Sequence, residues 1–293
     1  MSVAPLYPGR VKALALRPAA ELRGTAAAIA EALDHLLRRR ALCQELVRRD
    51  LTGQFANQLL GSFWVIAHPL SLLAIYVFVF AVVLKVKMHP GAGTPRDYTT
   101  YILSGLVPWL AMAQALARGS TALIAQSNLV KQVVFPIELL PMSATIIAFV
   151  PLVVSIPVII GYEILAGQGL PITVLLLPLY LAGLFLFMSG IAFALAAATP
   201  FLRDLKDGVT VFITAGVYLI PAFWLPSWVP HAFAPLIMVN PFSYPIWVAQ
   251  DILYFGGFAH PAAWAVFFAM ALLSFAFGYR FFRRVKPYIA NVL

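Results

Sequence analysis

The stretch LLPMSATIIAFVPLVVSIPVIIGYEIL, residues 139–165, decides the fold. Its one charged residue, Glu163, lies near its end. A hydrocarbon core of about 30 Å is crossed by about 20 helical residues, and this run exceeds that length. Its apolar side chains leave no polar face for water, so it cannot be the surface helix of a soluble domain. A single segment surrounded by lipid satisfies its backbone only within itself, which makes the run a helix.

Working outward, five more runs have the same character: Leu60–Leu84, Tyr98–Ala117, Ile172–Thr199, Val209–Leu225 and Pro261–Phe282. The whole chain of 293 residues is 62% hydrophobic and 11% charged. A soluble domain carries about 45–50% apolar and about 25% charged residues. The expected fold is all-α: a polytopic membrane protein with six transmembrane helices. Between the fifth and sixth runs, Pro226, Pro230, Pro235, Pro241 and Pro245 break an apolar, aromatic segment. No continuous helix holds so many prolines, and two short re-entrant helices in the outer leaflet fit it.

Orientation follows from Lys and Arg. With a cytoplasmic N-terminus and six spans, 17 of the 20 basic residues fall inside, and only Lys85, Lys87 and Arg96 fall outside. Both termini are then cytoplasmic, and the net charge of +9 reflects topology rather than nucleic-acid binding. Residues 1–25, rich in Ala, Pro and Arg, read as a mobile cytoplasmic tail. In residues 26–59, Ile29, Leu33, Leu36, Leu37, Leu46 and Val47 fall on one stripe, with Arg38, Arg39, Arg48 and Arg49 mostly off it. That pattern is an amphipathic helix for the inner headgroups or for a partner protein. Residues 60–293 form the transmembrane domain.

Chemistry is sparse. The chain has no G-x-x-x-x-G-K-[ST], no H-E-x-x-H and no G-x-S-x-G, so it lacks the nucleotide and hydrolase signatures. His35, His68, His89, His231 and His260 are scattered, which predicts neither a metal site nor catalytic residues. Cys43 stands alone and reads as a buried thiol. Mid-membrane carboxylates or histidines, which ion-coupled transporters use, are not evident, and this points to an external energy source.

Three blocks carry a resemblance. The first is Arg49-Asp50-Leu51, Leu60-Gly61-Ser62-Phe63-Trp64 and His68-Pro69-Leu70. The second is Leu103-Ser104-Gly105-Leu106-Val107-Pro108-Trp109 with the run from Asn128 to Pro141, NLVKQVVFPIELLP. The third is Arg203-Asp204 with Asn240-Pro241-Phe242. Over about residues 47–290 the chain resembles ABC-2 type permeases of the polysaccharide and O-antigen (lipopolysaccharide) export family. One departure is Gln250-Asp251, near a place where members often carry an Arg.

The resemblance implies a non-catalytic homodimer in the bacterial inner membrane, driven by two separate ABC ATPases that bind the ATP and Mg. Its cargo would be a lipid-linked glycan. It implies an ATPase-coupling element at Asn128, Leu129, Lys131, Gln132, Phe135 and Glu138, capped by Asn128 or Ser127, and an interface helix bearing Arg48, Arg49 and Asp50. The apolar loop residues lack an evident cover in the chain, which favours a docking role over a plain connection. Glu138 is expected to pair with Arg48 or Arg49. Trp224, Trp228, Phe242, Tyr244 and Trp247 are expected to line a glycan channel, or else to form an interfacial aromatic belt. Gly190, Ala194 and Ala198 repeat every four residues and suit close helix packing, within the protomer rather than at a dimer contact, which is the alternative. Rival readings are an ABC-2 permease for a small drug or lipid, a membrane-embedded glycosyl or acyl transferase, and a structural membrane anchor.

Overall fold

The computed structural model describes residues 38–54, 58–83, 95–131, 135–224 and 234–293. The chain begins with a helix, α1 (Arg40–Gly53), followed by α2 (Gly61–Val83), α3 (Tyr98–Ala125), α4 (Leu139–Leu165) and α5 (Ile172–Ala198). A shorter α6 (Leu205–Gly216) comes next, then two short pieces, α7 (Ala234–Val239) and α8 (Ser243–Gln250), which the charge distribution would put at the outer side. Helix α8 runs on as a π turn, Asp251–Phe255, and α9 (Pro261–Val292) closes the fold. Among the described residues there is no strand. Helices α2 to α5 and the Pro261–Ile289 part of α9 are long and apolar enough to cross a bilayer. Among these five, expected and observed bounds differ most for α3 and α9, which run on to Ala125 and Val292.

Helix α3 is the central post. In its most apolar stretch 83% of residues are buried, against 11% for α2. It packs on α4, α5, α6 and α8, so protein covers it where most of α2 is left uncovered within the chain. Its first turn is capped by Asp97, whose carboxylate accepts from the Thr100 N–H at 2.9 Å. Burial pushes the Asp97 carboxyl up, but hydrogen bonds from Thr100 and Tyr162 outweigh it and hold the group below its ordinary value. The cap's contribution is therefore present at neutral pH and is lost as acid protonates the group, below about pH 4.

Helices α5 and α9 touch backbone to backbone. A Cβ on Gly278 would lie 1.9 Å from the Gly190 carbonyl oxygen. A Cβ on Gly190 would lie 2.3 Å from the Ser274 carbonyl carbon. Glycine is required on both sides of this crossing. The Ser274 hydroxyl donates to Phe187 O across the same seam at 2.8 Å. Gly190 thus packs inside the protomer, while Ala194 and Ala198 are only half-buried.

The fifth expected span departs from a plain helix. Helix α6 has 12 residues, which span about 18 Å, and turn backbone follows it. The segment nevertheless follows α3 along its length. Lys206 borders a cavity with Ile124, near one end of α3, and Gly216 lies against Trp109. Phe223 O accepts from the Tyr98 hydroxyl at the other end. The helix stops short of Pro221, which has no N–H to continue it. The carbonyls left open are taken by side chains: Leu219 O by Asn240, Pro221 O by Gln250 and Tyr101, and Trp224 O by Tyr101. Non-helical backbone at this depth persists because protein groups supply its partners.

The proline-broken segment forms two short helices, α7 and α8, as its prolines require. Residues 225–233, with Trp228, lie outside the described residues. Arg96 closes the far end, donating to Leu253 O at 2.9 Å, Tyr254 O at 2.7 Å and Gly169 O at 3.2 Å. The chain reverses at Gly256, with φ of 67°, a conformation that favours glycine. Asp251, fully buried, accepts from the His260 N–H at 3.0 Å and from Trp264 Nε1 at 2.9 Å, and contacts His260 Nδ1 at 2.8 Å.

Candidate functional site

The described residues expected at a coupling element gather where α1, the α3–α4 connection, α5 and the end of α9 meet. An apolar cluster joins Cys43 and Leu46 of α1 to Val130, Ile137, Leu139, Phe193, Tyr279 and Phe282. Burial pushes the Cys43 thiol up, as an inert packing residue requires. Leu129 and Phe135 pack on the same cluster, half-buried. This corrects an expectation: these apolar loop residues find their cover within the chain. Exposure at the connection falls instead on Asn128 and Lys131. Gln132, Val133 and Val134 lie outside the described residues. The connection opens with one helical turn, Ser127–Val130, whose N-cap position is Gln126, and neither Ser127 nor Asn128 caps it.

Glu138 meets a different cation from the one expected. Its carboxylate accepts from Lys286 Nζ on α9 rather than from Arg48 or Arg49. The reason is geometric: both groups reach the site from helix ends that share the apolar cluster, 148 positions apart in sequence. Arg48 points outward, exposed. Arg49 bonds Gln126 Oε1 at 3.0 Å, and Gln126 Nε2 reaches Asp50 at 3.5 Å. Arg118 donates to Gln54 Oε1 at 2.8 Å. So α1 is tied to α3 through Gln126, Gln54 and Arg118, none of which sequence reasoning singled out as site residues. Gln126 stands two residues before the Asn128 run and Gln54 three after Leu51, but a glutamine gives no signal until its neighbour is known.

Reversing one member of the Glu138–Lys286 pair is expected to cost about 1 kcal/mol, since the pair is only partly screened from water. The double reversal, Glu138→Lys with Lys286→Glu, is expected to recover more than half of that. Thermal midpoints of the four proteins test it, and strictly additive losses would refute the pairing.

The outer aromatics divide. Phe242 faces the interior, packed on Trp109, Phe187 and Phe212 with ring centroids 5.9, 5.8 and 5.3 Å away. It is 7% exposed, so the expected channel position is corrected to a core position. A large ring just after Asn240-Pro241 is turned inward because Asn240 Oδ1 accepts the Phe242 N–H at 3.0 Å and bends the chain there. Tyr244 and Trp247 are half-buried; Tyr244 donates to Met238 O, and Trp247 stacks on His260. Trp224 is exposed. Among the described residues, no group of three or more His, Cys, Asp or Glu could hold a metal ion.

The ABC-2 type transporter family matches residues 41–254. The chain belongs to that family. Two O-antigen export system permease proteins, both called RfbA, are similar to this permease. The one from Klebsiella pneumoniae is 25% identical over 249 residues, covering 85% of this chain and 93% of the relative. The one from Myxococcus xanthus is 25% identical over 217 residues, covering 73% and 81%. The ABC-2 permease is a multi-pass membrane protein, the transporter's membrane subunit, as the sequence reading expected.

Proposed function

We propose that this permease is the membrane half of an ATP-driven exporter of a lipid-linked polysaccharide, working as a homodimer with two separate ABC ATPase subunits in the bacterial inner membrane. The observation that carries the reading is the similarity to the Klebsiella pneumoniae O-antigen export permease over 93% of that protein. The chain has no Walker-type phosphate loop of its own, so ATP and Mg belong to the partner. Both termini are assigned to the cytoplasm from the distribution of Lys and Arg.

The face of α6 supports a wet conduit shared by two copies. Lys206, Asp207, Thr210 and Thr214 are exposed along α6, beside Val211 and Phe212, and Tyr218 is exposed just beyond its end, whereas the exposed residues of α4 and α9 include Val153, Val158, Leu272, Leu273 and Phe277. Hydroxyls on a glycan cost roughly 4–8 kcal/mol each if stripped of partners in hydrocarbon, and a polar helix face spares that cost. Trp224, Tyr244 and Trp247 are assigned to its outer mouth. In a strain lacking the permease, reintroducing it should restore surface glycan only when the partner ATPase is intact. Restored resistance to a small drug with no change in glycan would favour the small-substrate reading.

The coupling surface is assigned to Asn128, Lys131 and the exposed side of α1. Asn128→Cys and Lys131→Cys, each in a Cys43→Ser background, are expected to crosslink to the ATPase in the assembled complex. Absence of a crosslink from both positions in a complex that hydrolyses ATP would rule out this surface.

A further inference from the structure

We propose that the permease carries a bound anionic phospholipid of the membrane, its phosphate on Arg118 and one acyl chain between α2, α3 and α4. The proposal is independent of the exported cargo.

A cleft of about 300 Å³ is bounded by the first four helices, with Gln54, Trp64, His68, Gln114, Arg118 and Pro151 on its wall. It narrows into a recess of about 50 Å³ lined by Leu72, Tyr76, Val107, Leu110 and Leu152, which shares His68, Pro69, Gln114 and Pro151 with it. On the other side, Gln54 and Arg118 also border an open hollow of about 470 Å³ with Arg49, Asp50 and Gln126. Arg118 therefore stands between a polar hollow and an apolar furrow. That is the layout of one amphiphile, with its head at the polar end and its chain running into the furrow.

Charge selects the head. Arg49, Asp50 and Arg118 share the hollow: Asp50 lies 3.5 Å from Arg49 and also attracts Arg118, so two cations face one carboxylate. Arg118 is bonded to Gln54, a neutral side chain, and among the described residues no carboxylate lies within ion-pair distance of it. One positive charge is left over at the neck of the cleft. It sits seven residues before the end of α3, about 10 Å in from that end. Arg118 is half-buried beside the open hollow, and a phosphate offers its guanidinium several acceptor oxygens.

Packing selects the tail. Helix α2 is the span least covered by protein, with 11% of its apolar stretch buried. The furrow beside it is apolar and reaches into the spanning part of α3, whose interior is otherwise densely packed. Empty apolar space between helices forfeits contact energy that an acyl chain restores. A second chain would lie on the exposed side of α2, where Ile66, Ile75 and Phe78 face outward.

The test is native mass spectrometry of the purified transporter after detergent exchange and repurification from nanodiscs of phosphatidylglycerol and phosphatidylethanolamine. The wild type is expected to keep phosphatidylglycerol at about one molecule per chain. Arg118→Gln is expected to lower retention about tenfold, the loss of one charge-assisted contact, while Arg118→Lys keeps most of it. Leu72→Trp, which fills the recess and leaves the cation in place, is expected to lower retention as well. Equal retention of phosphatidylethanolamine, wild-type retention in both Arg118→Gln and Leu72→Trp, or a single-chain polyprenyl phosphate found in place of phosphatidylglycerol would each overturn the proposal.

Discussion

Replacing Gly278 by Val is expected to remove nearly all folded permease from the membrane. The α5–α9 seam has no room for even a methyl group, since a Cβ at position 278 would stand 1.9 Å from the Gly190 carbonyl oxygen. The neighbour is backbone, so no rotamer change relieves the clash, and two long helices must separate. Ordinary overpacking costs about 1–3 kcal/mol. Here the contacts along the seam are lost as well, including the Ser274 bond to Phe187 O, and a cost above about 4 kcal/mol follows. Against a typical stability of about 5–15 kcal/mol, that leaves little native protein. Gly190→Val should behave alike, because its Cβ would meet Ser274 and Phe275 backbone at 2.3 and 2.4 Å. Gly161→Val is the control: a Cβ there meets nothing within 4 Å. Gel filtration of detergent-solubilised protein reads the outcome. Wild-type yield of monodisperse Gly278→Val would mean that the two helices do not cross as described.

Asp251→Ala is expected to destabilise the outer helices more than any single aromatic replacement near them. The carboxylate is fully buried and serves three donor sites: the His260 N–H, the His260 ring and the Trp264 indole. It thereby pins the start of α9 to the π turn after α8. Removing it leaves buried donors without an acceptor, at about 3 kcal/mol in total. Asp251→Asn keeps one carbonyl acceptor and should lose less. Trp247→Ala removes one half-buried ring stacked on His260 and should lose less than Asp251→Ala. Unfolding midpoints of the purified proteins rank the three. If Asp251→Ala matched the wild type, the carboxylate would have no structural part in the hairpin.

In sequence, Asp251 marked only a departure, Gln250-Asp251 at a place where relatives often carry an Arg. In the fold, Gln250 donates to Pro221 O at 2.7 Å and Asp251 faces the start of α9 through His260. The pair holds the outer helices to the broken fifth span on one side and to α9 on the other. His260 had looked like an isolated histidine, because its partner lies across a turn rather than at a metal-ligand spacing.

The sequence by itself determined the membrane character, the long spans, the two short outer helices and the family motifs. Each of these is a property of the chain taken along its length. A bilayer of fixed thickness demands an apolar run of matching length, and proline ends a helix wherever it stands. Only the tertiary structure decided which faces look inward. Lipid and protein interior are equally apolar, so the same Leu, Val and Phe suit both, and periodicity cannot separate Phe242 in the core from Trp224 on the surface. The tertiary structure also decided that Glu138 meets Lys286, that Arg49 meets Gln126, and that Leu129 and Phe135 are covered from within. Those pairings join residues tens to hundreds of positions apart. Their choice depends on how helices cross, and two glycines, Gly190 and Gly278, set one such crossing by letting backbone touch backbone.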